Sequence, residues 1–159
     1  MGCVKEIATP PATSSTKRPG YPRSGGRVDD NPIPLMASQR KSKMKIIHYT
    51  DATPQSFDGE QVRGVTGRVV VGQIDGAANF CMRVFELSPE GFTPRHQHEW
   101  EHEIFFHSGE GEIYQNGEWQ TVKPGSVVFI PGNELHQIRN RNAANLVFAC
   151  LIPSGAPEL

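Results

Sequence analysis

Three histidines fall within seven residues, in the run HQHEWEH over 96–102, and a fourth, His136, follows a turn further along the chain. A neutral imidazole nitrogen is a good ligand for first-row divalent ions, zinc and iron among them. In an extended chain residues i and i+2 point to the same side. His96 and His98 therefore face one way and can share an ion. A tight connection would bring His102 back beside them, and His136 must arrive from a separate strand. The expected cofactor is one divalent transition-metal ion, Mn, Fe or Zn, held by His96, His98, His102 and His136. The competing reading is ordinary surface histidines beside acidic residues, which suits a lone histidine better than this set.

The elements that must position these residues are short strands. GRVVVG (67–72) and NFCMRVFEL (79–87) are rich in β-branched and aromatic residues. HEIFFHS (102–108), SVVFI (126–130), HQIRN (136–140) and NLVFACLI (145–152) read the same way. GEIYQ and EWQTVK flank Asn116-Gly117, a type I′ hairpin signal, and Pro124-Gly125 marks the next turn. No amphipathic helix and no internal repeat is evident. Short strands at regular spacing with Gly, Pro and Asn turns indicate an all-β sandwich or barrel.

Ahead of them, residues 1–44 hold six prolines and four glycines among few apolar residues. Such a composition cannot bury enough surface to offset its ordering entropy, so a disordered tail is expected. Met36 and Met44 are both possible true starts. MGCVKE resembles the beginning of an acylation signal, but Glu6 stands where Ser or Thr is required. Residues 1–45 carry nine Lys/Arg against three Asp/Glu, and residues 46–159 carry seven against fourteen. An acidic folded domain argues against a nucleic-acid partner. No apolar run approaches a membrane span, and no secretory signal is visible. Three widely spaced cysteines, Cys3, Cys81 and Cys150, form no disulfide framework. A cytoplasmic location is the expectation.

The histidines also sit in two motifs that resemble those of the cupin superfamily. The first, a Gly, then H-x-H, then an acidic or His ligand, then a Gly, is met by Gly91, His96, His98, His102 or Glu103, and Gly109. Four residues rather than five separate Gly91 from His96. The second, G-x5-P-x-G-x2-H-x3-N, is met by Gly125, Pro131, His136 and Asn140, with Asn133 replacing the second Gly. Asn tolerates the positive φ required there. The run EWEHEIF (99–105) is similar to one in the small single-domain cupins whose metal is held by four histidines. The resemblance covers residues 45–157 and implies a double-stranded β-helix, a jelly-roll barrel of about eight to ten strands. It also implies a homodimer, with the contact placed in 45–72, and a barrel mouth open to the metal.

Cupin sites commonly combine three histidines with one glutamate, so His102 competes with Glu103. Strand parity separates them. His102 facing inward takes Ile104 and Phe106 with it; Glu103 facing inward takes Phe105 and His107, a spare imidazole. His102 is the better choice. Glu101 and Glu103 are then either acceptors for ligand N–H groups or merely solvated acids. Four neutral imidazoles leave the full charge of about +2 on the site, against about +1 with a carboxylate. In the last strand the even set, with Phe148, Cys150 and Ile152, makes a better barrel lining than the odd set. Arg83 interrupts an apolar strand; it is an exposed or interface residue, or, as in similar cupins, a pocket residue that holds a substrate carboxylate or enolate. Trp100 reads as a packing residue or mouth wall, Asn140 as the fastener of the turn after His136, and His48 and His107 as surface residues.

The expected function is that of a metal-dependent enzyme acting on a small oxygen-containing organic molecule that chelates the ion. A redox metal would suit dioxygenase chemistry, which is the form expected first, and Mn or Zn would suit isomerase, lyase or cyclisation chemistry. The alternative is a non-catalytic binding or sensor module. The fold hosts many chemistries, so the resemblance carries no substrate with it.

Overall fold

The structure, a computed structural model, describes residues 43–159. Apart from its last two residues, the tail expected over 1–44 lies outside the described residues, as do Met36 and Cys3. Nine strands follow: β1 (Gln55–Phe57), β2 (Arg63–Val71), β3 (Phe80–Phe92), β4 (His102–Ser108), β5 (Gly111–Gln115), β6 (Glu118–Val122), β7 (Val127–Ile130), β8 (Gln137–Arg139) and β9 (Leu146–Pro153). Among the described residues the only helical segments are two single 3₁₀ turns, Tyr49–Asp51 and Gln73–Asp75.

All strand pairs are antiparallel, and the sheet runs β6-β5-β8-β3-β9-β4-β7, with β2 on β3 and β1 on β2. Strand β3 is long enough to bend and serve several partners. Its first part, Phe80 to Leu87, pairs with β9, and Phe92 at its far end reaches Arg139 of β8. Glu90, with φ of 60°, sits in between. The sheet curls on itself, so Val122 of β6 and Ile130 of β7 enter the same core as Leu87, Phe106 and Leu146. The double-stranded β-helix expected from the sequence is the fold observed.

Strand β9 shows why its sequence is apolar almost throughout. Leu146, Phe148, Cys150 and Ile152 face the barrel interior, while Val147 packs outside with Val70 and Val84 under Tyr49 and Ala52. A strand covered on both faces does not need polar alternation. The segment preceding β1 provides the outer cover, and Lys45 ties it down through an ion pair with Asp75 at 2.8 Å. The Asn116-Gly117 turn has φ of 50° and 92°, as a type I′ hairpin requires.

Candidate metal centre

His96 and His98 lie in the connection between β3 and β4, His102 opens β4, and His136 immediately precedes β8. Two loop segments are laced together to bring them close. His96 N–H donates to His136 O at 3.1 Å, His136 N–H returns a bond to His96 O at 3.0 Å, and Asn133 N–H donates to His98 O at 2.6 Å. Asn133 holds φ of 65°, the left-handed turn that aims its amide back at His98. One ring nitrogen from each of His96, His98 and His136 falls within 4.8 Å of the others. His102 stands beside this trio, with its Nε2 2.8 Å from Nε2 of His98 and its ring centroid 5.1 Å from that of His136.

The orientation of the trio follows from its outer hydrogen bonds. His96 Nδ1 lies 2.9 Å from Pro94 O, His98 Nδ1 2.8 Å from Trp100 O, and His136 Nδ1 2.8 Å from Glu134 O. A carbonyl accepts only, so each Nδ1 carries the proton and each Nε2 keeps a lone pair, which in His98 points at Nε2 of His102. Each carbonyl belongs to a residue two positions from the ring it holds, so the same loop conformation delivers ring and support. The Trp100 indole also stacks on His98, with centroids 4.1 Å apart and planes inclined by 8°. His102 differs. Its Nδ1 faces Arg83 Nη2 and Cys150 Sγ, each at 3.4 Å.

Burial favours the unprotonated form of His98, His102 and His136. His102 is only 6 % exposed and His136 5 %. Desolvation, helped by the nearby Arg83 charge, pushes His102 down to about 3, and desolvation pushes His136 down to about 4. Desolvation also lowers His98. The Nε2 lone pairs of His96, His98 and His136 converge as a divalent ion requires, so these residues fit the expected cofactor. Nδ1 of His102 accepts from the Arg83 guanidinium, so its Nε2 carries a proton that must leave before His102 can join them.

All four histidines line one cavity of about 490 Å³, which Ile104, Phe148, Cys150 and Arg83 also line. Phe106 and Ile152, expected as pocket residues, are instead sealed in the core behind it. Phe106 is taken up in ring packing against Phe148, centroids 5.3 Å apart, and Ile152 pairs across to Cys81. Glu101 and Glu103, considered as acceptors for ligand N–H groups, are exposed and bond no histidine; strand alternation sends Glu103 outward, Glu101 lies just ahead of β4, and backbone carbonyls take that role. His48 caps the Tyr49–Asp51 turn and His107 is exposed. Asn140 is fully buried and donates to Leu87 O, Ser88 O and Ala144 O. The sequence reading missed Phe57, Phe85 and Leu159 as cavity walls. β1, which carries Phe57, has only three residues and offers no periodicity to read.

Gly132 is the tightest point of the lacing. A Cβ there would collide with the backbone carbonyl of Glu99, next to the bond from Asn133 to His98. Backbone cannot yield as a flexible side chain does. Gly132→Ala is expected to lower stability by about 1–3 kcal/mol, the usual range for overpacking, and to weaken metal binding along with it. Denaturant unfolding and a metal titration of the variant check both.

Comparison with known proteins follows the same lines. The profile of the family described as cupin domain matches residues 83–152. The polyketide cyclase RemF from Streptomyces resistomycificus is similar at 33 % identity, over 72 % of this chain and 83 % of that one, with a TM-score of 0.67. A predicted oxalate decarboxylase from Thermotoga maritima shares the fold at 24 % identity, over 69 % of this chain and 99 % of that one, TM-score 0.62. KdgF from Halomonas sp. shares it at 16 % identity, over 74 % and 100 %, TM-score 0.61. No curated protein sequence matches the chain.

Proposed function

The chain belongs to the cupin family, and from that premise we propose that it is a metal-dependent enzyme whose ion is held by His96, His98, His102 and His136. The observation that carries this is the trio of imidazoles with Nδ1 tied to backbone carbonyls and ring nitrogens within 4.8 Å of one another. His102 joins as the fourth ligand because its Nε2 already lies beside that of His98. Once bound, a divalent ion supplies Lewis acidity toward an oxygen-bearing substrate, and a redox-active one also opens oxygenase chemistry. The chain's own residues orient the rings and favour the unprotonated form of His98, His102 and His136.

Zn or Mn with isomerase, lyase or cyclase chemistry is the preferred form of this reading, because the similar protein with the higher identity is a polyketide cyclase. Fe with dioxygenase chemistry is the alternative. We place a homodimer contact in residues 45–72, where Ile46 and Ile47 are exposed beside Met44. No helix of the described residues is long and apolar enough to cross a membrane. We place the protein in the cytoplasm, acting on a small molecule and on no nucleic acid.

Elemental analysis of the full chain, purified without added metal, tests the first part. About one equivalent of a single transition metal is the expected result. Turnover is then measured on β-diketones, flavonols, hydroxy acids and poly-β-ketones with Zn, Mn and Fe in turn. A chain that binds these compounds but turns over none with any metal is a binding module, and the enzyme reading falls.

A further inference from the structure

We infer that the cavity takes an apolar, ring-bearing monoanion, whose anionic oxygen seats on Arg83 while its flat body lies among Phe57, Phe85, Trp100 and Phe148. This rests on the reading of the site just given and names the class of molecule for it, but its physical basis is independent of the metal.

Arg83 carries the argument. It lies on β3 directly across from Cys150 of β9 and is only 8 % exposed. A buried guanidinium is costly unless a carboxylate or several acceptors compensate it. Arg83 has no carboxylate partner among the described residues. Its Nη2 donates to Cys150 Sγ at 3.0 Å, a weak acceptor, and lies 3.4 Å from His102 Nδ1. Its Nε is buried with no partner at all. The Phe85 ring, 5.1 Å from the guanidinium carbon, adds only a modest attraction. A planar, charged guanidinium that lines the cavity with no carboxylate to neutralise it fits an anionic oxygen, which would bind by charge-assisted hydrogen bonds.

The rest of the cavity defines the remainder of the molecule. No side-chain carboxylate lines it. The Thr93 hydroxyl is engaged by the Ile138 backbone, and Gln97 is exposed. Apart from the exposed Gln97 amide, the idle polar groups are those of Arg83 and the histidines, and most of the other lining residues are aromatic or aliphatic. A sugar acid would find few partners for its several hydroxyls, and a small dicarboxylate would leave most of the about 490 Å³ unfilled. A rigid ring system with one anionic oxygen fills the space and satisfies the one unmet charge.

Isothermal titration of the full chain, metal-stripped and zinc-loaded, with 2-naphthoate, its neutral amide 2-naphthamide and oxalate tests this. Naphthoate is expected to bind the metal-stripped chain at least about tenfold more tightly than naphthamide, as a charge-assisted bond implies. Oxalate should neither bind that form nor displace naphthoate. In Arg83→Met the preference for naphthoate over naphthamide should vanish, with the melting temperature unchanged or raised, since an uncompensated charge has been removed. Equal affinity for acid and amide in the wild type overturns the inference even if the variant does not fold. Tight oxalate binding to the metal-stripped chain, or an intact preference in Arg83→Met, overturns it as well. A chain that shows the Arg83-dependent preference but takes up no zinc keeps this inference and loses the metal reading.

Discussion

Replacing His136 by alanine is expected to lower zinc affinity by on the order of a hundredfold or more. Loss of a group that merely supports a ligand commonly costs about 10–100-fold in metal affinity, and a direct ligand should cost more. His136 is central to the cluster, with ring centroids 4.5 Å from His96, 5.1 Å from His98 and 5.1 Å from His102. Competition against a chromophoric chelator measures the affinity. His107→Ala, on the exposed face of β4, should leave it unchanged and serves as the control. His102→Ala gives the complementary information. A large loss there establishes four histidine ligands, and no loss would reduce the site to three. Wild-type affinity in His136→Ala would remove the metal centre altogether.

Acidification should have a comparably large effect on the metal-free protein. In the folded chain His102 and His136 stay neutral down to about 3 and about 4. Unfolded, each takes up a proton near 6.5. Below 6.5 the unfolded state therefore binds protons that the fold refuses, and stability falls as pH falls toward those lower values. At about 1.4 kcal/mol for each pH unit of difference, the two rings together remove on the order of 5 kcal/mol between pH 7 and pH 4. That is comparable to the whole stability of a small domain, about 5–15 kcal/mol. Denaturant midpoints in the presence of a chelator, at steps from pH 7 to pH 4, should decline steeply. The double variant His102→Ala/His136→Ala should flatten the decline. A flat wild-type profile would mean the rings are not held neutral.

The fold was legible because its signals are local. Alternation in HEIFFHS, the Asn116-Gly117 turn and the apolar density of NLVFACLI each report a strand or turn without reference to the rest of the chain. The observed β4 and β5 coincide with the segments read for them, and β7, β8 and β9 differ from theirs by a residue or so at the ends. Proximity of the histidines was legible in part, since H-x-H spacing and strand parity concern side-chain direction alone. What supports them was not. The carbonyls of Pro94, Trp100 and Glu134 depend on loop backbone torsions, which composition does not encode. The glutamates drew attention as acids next to ligands in sequence, yet neighbours along a strand point to opposite faces. Phe57 and Leu159 reach the cavity only through long-range packing of β1 and the final residues, which a local reading cannot see.

The paired backbone bonds between His96 and His136 have a dynamic consequence. Two of the imidazoles belong to the very clasp that shuts the rim, so the rim cannot gape without pulling them apart. Release of an ion held there and exchange of those two amide protons with solvent would then be the same opening event, seen by different probes.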